Sequence, residues 1–218
     1  MIPITDTIKH LIIINVLIFI AATYVFPGLP ETNSALEFIR NFQENGALYY
    51  PGSDFFRWYQ IITHMFLHGN FSHLFFNMFA LYMFGSALEG HWGRNRFLLF
   101  YFFAGLGGAI FQIISWKVGL MGMNPMEQQF FLSTPFRVIG ASGAVFGVLA
   151  GFGMLFPNVE LLLLFPPIPI KAKYFVIIYG LLEIVLGLSN LQTGVAHLAH
   201  VGGLVFGIIL ILYWKKNR

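Results

Sequence analysis

The sequence has no cysteine. Its absence excludes disulfides, a thiolate nucleophile and thiolate metal sites, and leaves the compartment open. Charge is scarce: only 10% of the 218 residues are Asp, Glu, Lys or Arg, where a soluble domain carries about a quarter. Asp6 and Asp54 are the only aspartates. There is no HExxH zinc motif, no repeat and no low-complexity stretch. No clear cleavage site ends the apolar run from Leu11 to Phe26, which is also long for a signal peptide, so it reads as a membrane segment. The net charge of +3 is small. Loop bias accounts for it, and nucleic-acid binding is not implied.

What the chain does have is apolar mass. Hydrophobic residues make up 57%, with 26 Phe and 23 Gly, and the mean hydropathy is +0.74. Rings fill lipid-facing surface and glycine lets helices approach, so the class is an all-α polytopic membrane protein. Six apolar segments lie near 10–27, 70–89, 95–117, 139–156, 173–191 and 195–214, in one unit spanning 1–218. The last, at about 20 residues and roughly 30 Å of helix, is long enough to cross the hydrocarbon core.

Charge sets the expected orientation. With the N-terminus cytoplasmic, Lys9, Arg94, Arg96, Lys171, Lys173, Lys215, Lys216 and Arg218 lie inside, and Arg40, Arg57, Lys117 and Arg137 outside. The excess of basic residues is then cytoplasmic, and so are both termini. The first outer connection, Pro27 to Phe71, is long and holds Glu31, Glu37, Glu44 and Asp54 beside Phe55, Phe56, Trp58 and Tyr59. Short helices in the outer interface are expected there. Gly119 to Phe136 reads as a second outer loop. Pro166-Pro167-Ile168-Pro169 punctuates an inner connection, and Asn190 to Gly194 forms a very short outer one.

The second, fourth and sixth segments all begin on the outer side. At about 1.5 Å per residue, Asn77, Ser142 and His200 lie roughly 5–10 Å below that end. Polar groups inside a membrane are costly and face the bundle interior or a water-filled cavity. His73 and Asn77, spaced i, i+4, share a face. Small-residue stripes, Gly143, Gly147 and Gly151 on the fourth segment and Gly203 and Gly207 on the sixth, let two backbones come close. Close approach permits a serine–histidine hydrogen bond, and an Asn amide, an imidazole N–H and the Ser142 N–H could meet an oxyanion. No carboxylate stands at this depth by position: Glu89 ends the second segment and Glu183 lies mid-way along the fifth. A Ser142–His200 dyad is therefore expected, its imidazole oriented by packing and hydrogen bonds. Glu183 reads either as a partnered interior carboxyl or as a group facing a wet cavity that affects movement of the fifth helix. Glu89, Arg94 and Arg96 read as a snorkelling inner rim. The pairs His64/His68 and His197/His200 have spacings that could hold a metal, but no carboxylate adjoins them in sequence. His64, His68 and His197 read as structural or interfacial.

Three stretches together resemble the rhomboid family of intramembrane serine proteases: Gly140-Ala141-Ser142-Gly143 (GxSG), His73 to Asn77, and Ala199-His200-Val201-Gly202-Gly203 followed by Gly207 (AHxxGxxxG). They fall in order on the second, fourth and sixth segments. The resemblance implies a six-helix rhomboid-like bundle with a structured first outer loop. It implies Ser142 as nucleophile, His200 as general base, and an oxyanion site from His73, Asn77 and the Ser142 amide. It also implies transmembrane protein substrates in the bilayer and no cofactor. The compact form suggests a bacterial inner membrane. Two positions depart from the family pattern. Phe146 stands where some relatives have a stacking tyrosine, and Arg57 is flanked by Phe56 and Trp58 where the family often has Trp-Arg. The alternatives are a non-proteolytic rhomboid-like binder of membrane clients, which typically lacks the Ser or the His, and a histidine-based metal-handling protein.

Overall fold

The computed structural model of the chain describes residues 3–29, 34–162, 168–189 and 195–217. Expectations at Glu31, at Pro166-Pro167 and in the connection from Asn190 to Gly194 lie outside the described residues. The first helix, α1 (Asp6–Ile20), continues through a π turn (Ala21–Val25) and a 3-10 turn (Phe26–Gly28). The long connection holds α2 (Ser34–Arg40), α3 (Phe42–Gly46), strand β1 (Leu48–Tyr49) and α4 (Gln60–Thr63). Then α5 (Phe71–Ala80), a π turn (Leu81–Gly85) and α6 (Ser86–Trp92) form one rod. Gly93, at φ 77, turns it into α7 (Arg94–Met121). Next come α8 (Pro125–Ser133), β2 (Arg137–Val138), α9 (Ser142–Leu155), β3 (Glu160–Leu162), β4 (Pro169–Lys171), α10 (Ala172–Leu188) and α11 (His197–Lys216).

Among the described residues, four helical stretches are long and apolar enough to cross a membrane: Asp6–Gly28, Phe71–Trp92, Arg94–Met121 and His197–Lys216. α9 is apolar but has only 14 residues, and α10 has 17. α7, α9 and α11 form the packed centre, with α10 against α11. Phe97, Phe100 and Tyr101 of α7 are fully buried, as are Ile8 of α1 and Leu88 of α6. Between lipid-bathed helices water is not displaced, so close packing and hydrogen bonds hold the bundle.

Two sequence expectations are corrected. Glu89 is not a snorkelling rim residue but is buried against the start of α1. It accepts hydrogen bonds from the Thr7 N–H (3.4 Å), the Ile8 N–H (3.3 Å) and the Thr5 and Thr7 hydroxyls. These are amides that a helix start leaves without intrahelical partners, and its positive dipole end favours a carboxylate. The stretch Gly119 to Phe136 is largely helical, not an open loop. Asn124 accepts from the Met126 and Glu127 amides at 3.0 Å, and Glu127 accepts from the Asn124 amide at 2.9 Å. With Pro125 at the first helical position, this is a capping box that starts α8.

β1 and β2 tie the long connection to the chain just before Ser142. Leu48 pairs with Val138 and Tyr49 with Arg137, and Arg137 Nη1 lies 3.2 Å from Glu44 Oε1. Buried Gln60 organises the rest. Its amide donates to the carbonyls of Asn45 and Phe55 and accepts from the Arg57 N–H, while the Arg57 guanidinium donates to the carbonyls of Asp54 and Phe56.

Candidate active site

Ser142 is the first residue of α9 and not a turn inside it. Its N–H and those just after it lack intrahelical partners and point out of the positive end of the helix. Gly140, two residues earlier, has φ 134, in the region that favours glycine. Its N–H donates to the His64 carbonyl at 2.9 Å. A Cβ at position 140 would sit 2.7 Å from His73 Nε2 and 3.4 Å from Ser142 Oγ. The His73 ring and the Ser142 hydroxyl therefore converge on the space that Gly140 leaves.

Backbone proximity brings the imidazole. A Cβ at Gly203 would fall 1.8 Å from the Gly143 carbonyl oxygen, and one at Gly207 3.0 Å from Gly147 Cα. Gly108 of α7 closes on the same point, with the Ala199 carbonyl 2.9 Å and Gly143 Cα 3.2 Å from its would-be Cβ. Three helices touch almost backbone to backbone, which only small residues permit. Gly151, grouped with the α9 stripe from the sequence, instead meets Leu88 and Phe100.

At this crossing the Ser142 Oγ is 2.8 Å from His200 Nε2. The other ring nitrogen, Nδ1, is 2.9 Å from Glu183 Oε2. The dyad expectation is corrected here: a carboxylate stands behind His200. Against an ionised carboxylate the Nδ1 carries the proton, so Nε2 offers its lone pair to the serine O–H. The same Glu183 oxygen lies 2.7 Å from His197 Nδ1. All three residues are buried, and each offers one ligand atom, mutually within 4.8 Å. Sequence reasoning missed the triplet because Glu183 is 17 residues from His200 on another helix. The signal was there: an acidic residue inside an apolar run, and two histidines spaced i, i+3.

Phe146, one turn below Ser142, stacks on the His200 ring with centroids 4.2 Å apart and planes 8° from parallel. Tyr179 of α10 also stacks on Phe146, with centroids 5.2 Å apart. Asn70 caps α5, accepting from the His73 N–H at 2.8 Å, and Asn77 Nδ2 donates to the His73 carbonyl at 2.8 Å. His73, Asn77, Ser142 and His200 all line one cavity of about 990 Å³, with Gln112, Arg137 and Tyr179 also on its wall. His64 and His68 do not line it and are buried. Burial pushes the His64 imidazole down to about 4 and His68 to about 3, so both stay neutral. His68 packs edge-on to His73 at 5.0 Å.

The Rhomboid domain family matches residues 56–217. The chain belongs to the rhomboid family. It is similar to the Bacillus subtilis rhomboid YdcA, 31% identical over 165 residues that cover 74% of this chain and 70% of YdcA. The rhomboid protease AarA of Providencia stuartii is 31% identical over 157 residues, 70% of this chain and 54% of AarA. The rhomboid protease GluP of Bacillus subtilis is 32% identical over 155 residues, 69% of this chain and 25% of GluP. This rhomboid thus spans about half of AarA and a quarter of GluP. Its matched stretch begins at Phe56, so α1 and the first part of the long connection lie outside it.

Proposed function

We propose that the chain is an intramembrane serine protease that hydrolyses peptide bonds in or near the transmembrane segments of membrane proteins, with Ser142 as nucleophile and His200 as general base. It is a multi-pass membrane protein of the rhomboid family and a serine endopeptidase. The observation that carries the residue assignment is the 2.8 Å contact of Ser142 Oγ with His200 Nε2, backed by Glu183 on Nδ1.

The steps follow from that geometry. His200 Nε2 takes the hydroxyl proton as Ser142 Oγ attacks the peptide carbonyl. Glu183 keeps the ring in the productive tautomer and stabilises the imidazolium that forms. Negative charge develops on the carbonyl oxygen at the positive end of α9, where the Ser142 N–H is available. Asn77 uses one amide N–H on the His73 carbonyl and keeps its second for the oxyanion, and His73 Nε2 supplies another donor. The imidazolium then protonates the leaving nitrogen, and water admitted by the cavity resolves the acyl-enzyme.

We read the chain as one six-helix unit over residues 1–218, α9 and α10 crossing with the four longer rods, the long connection on the outer side and both termini cytoplasmic. A bacterial inner membrane fits this form. The substrate is a transmembrane helix that must unwind locally, because a helical carbonyl is hydrogen-bonded and shielded. Small or helix-breaking residues near the cleavage site are therefore preferred. The test is purified protein in micelles with a labelled transmembrane substrate. Cleavage falls to background in Ser142→Ala and in His200→Ala, and a fluorophosphonate labels the wild type at Ser142. Cleavage by Ser142→Ala at the wild-type rate overturns the assignment.

A further inference from the structure

One carboxylate oxygen serving two imidazoles is more than orientation of a base requires. Glu183 Oε2 lies 2.7 Å from His197 Nδ1 and 2.9 Å from His200 Nδ1, and the three ligand atoms fall within 4.8 Å of one another. A tetrahedral zinc with bonds of about 2.0–2.1 Å needs its ligand atoms roughly 3.4 Å apart. Two of the observed spacings are shorter than that figure and none exceeds 4.8 Å, so side-chain shifts on the order of 1 Å bring the three into a first shell. Two histidines and a glutamate, with water in the fourth position, form a donor set that zinc takes readily. The three side chains come from two helices: α10 presents Glu183, and the first turn of α11 presents both histidines. Of the three, His200 lines the cavity, beside Val195, Ala196 and Tyr179, and Glu183 and His197 are buried behind it.

We infer that Glu183, His197 and His200 form a reversible zinc site whose occupation switches the protease off. The inhibitory half of this inference rests on the proposed roles of Ser142 and His200; the binding half does not. The switch is a matter of one proton. In the free site His200 carries its proton on Nδ1 and accepts at Nε2. Zinc bonded to Nδ1 requires the lone pair there, so the neutral ring keeps its proton on Nε2. No proton is lost overall; it changes nitrogen. Nε2–H then donates to Ser142 Oγ and cannot take the serine proton. His197 undergoes the same exchange, and Glu183 trades two accepted hydrogen bonds for a metal bond.

The experiment uses the full chain without a histidine tag, in detergent micelles. Zinc is titrated calorimetrically, and cobalt(II) is added as a spectroscopic stand-in, its visible absorption reporting a low-coordinate nitrogen and oxygen shell. One equivalent binds to the wild type and, with the same affinity, to Ser142→Ala. Binding weakens by more than about 100-fold, the upper figure for loss of an outer-shell partner, in His197→Asn and in Glu183→Gln. Fluorophosphonate labelling of wild-type Ser142 falls with zinc at the same midpoint and recovers with a chelator. Absence of a one-equivalent site overturns the inference, as does equal binding in the two ligand variants. The wild-type cobalt spectrum keeps the test decisive should either variant fail to fold. Zinc bound as described beside cleavage that Ser142→Ala leaves intact would uphold the site and overturn the protease reading instead.

Discussion

At the scale of the residue, Glu183 separates what spacing along a chain can reveal from what helix crossing reveals. Ser142, His200, His73 and Asn77 were legible because each sits among small or apolar residues near the start of an apolar run. The Glu183 contact was not, because depth alone does not say which face of α10 turns toward α11. Its consequence is testable. Glu183→Gln leaves the ring stacked on Phe146 but removes the charge that, in the proposed mechanism, stabilises the imidazolium. A drop in kcat of about 100-fold or more, with KM little changed, is expected, since positioned general bases contribute about 10²–10⁴-fold. An unchanged kcat in a steady-state assay would dismiss a catalytic contribution from Glu183. Phe146 gives a second expectation. Phe146→Tyr keeps the stack on His200 and retains activity, while Phe146→Ala removes it and loses at least about 0.5–1.5 kcal/mol of ring interaction in addition to packing. The readout is kcat for both variants beside their thermal midpoints.

At the scale of the element, the close approach of α9 and α11 is the feature most sensitive to a single methyl. A Cβ at Gly203 would overlap the Gly143 carbonyl oxygen, and backbone cannot move aside as a side chain can. Gly203→Ala is expected to push the helices apart, cost about 1–3 kcal/mol or more, and abolish proteolysis by separating His200 from Ser142. Gly119→Ala, where nothing lies within 4 Å, serves as the control and retains both stability and activity. The glycine stripes were visible in the sequence, but which partner each glycine meets was not. Gly108 joins the crossing from α7, and Gly151 faces Leu88 and Phe100. Glu89 makes the parallel point for α1. Its position beside Arg94 and Arg96 suggested a charged rim, yet the open start of α1 draws its carboxylate inward. Glu89→Ala removes an acceptor from four donors. The expected result is a lower melting temperature, read by thermal unfolding in micelles, with Ser142 still labelled at low temperature.

At the scale of the whole molecule, pH acts through the buried histidines behind the site. His64 is held near 4 and His68 near 3 by burial, against 6.5 for the free side chain. Between about pH 6.5 and 4 the unfolded chain binds protons that the folded one refuses. Stability therefore falls as the pH is lowered through that window, and is fully present above it. Thermal midpoints measured from pH 7 to pH 4 are expected to decline, and His64→Gln to flatten part of that decline. A level wild-type profile would contradict it. The capped helix α8 also belongs here. The sequence Asn124-Pro125-Met126-Glu127 carried its start signal, and the surrounding polar residues hid it by resembling a loop.

The separation of Ser142 and His200 along the chain also has a meaning in time. Their contact closes over 58 residues. At about 5–20 residues per second of synthesis, His200 is made roughly 3–12 s after Ser142. In that interval α9, only 14 residues long and buried along most of its length, has α7 beside it but lacks α11, the other helix of the packed centre. On the proposed assignment the nucleophile thus exists for seconds without its base, and a newly made molecule is expected to cut no neighbour before α11 has entered the bundle.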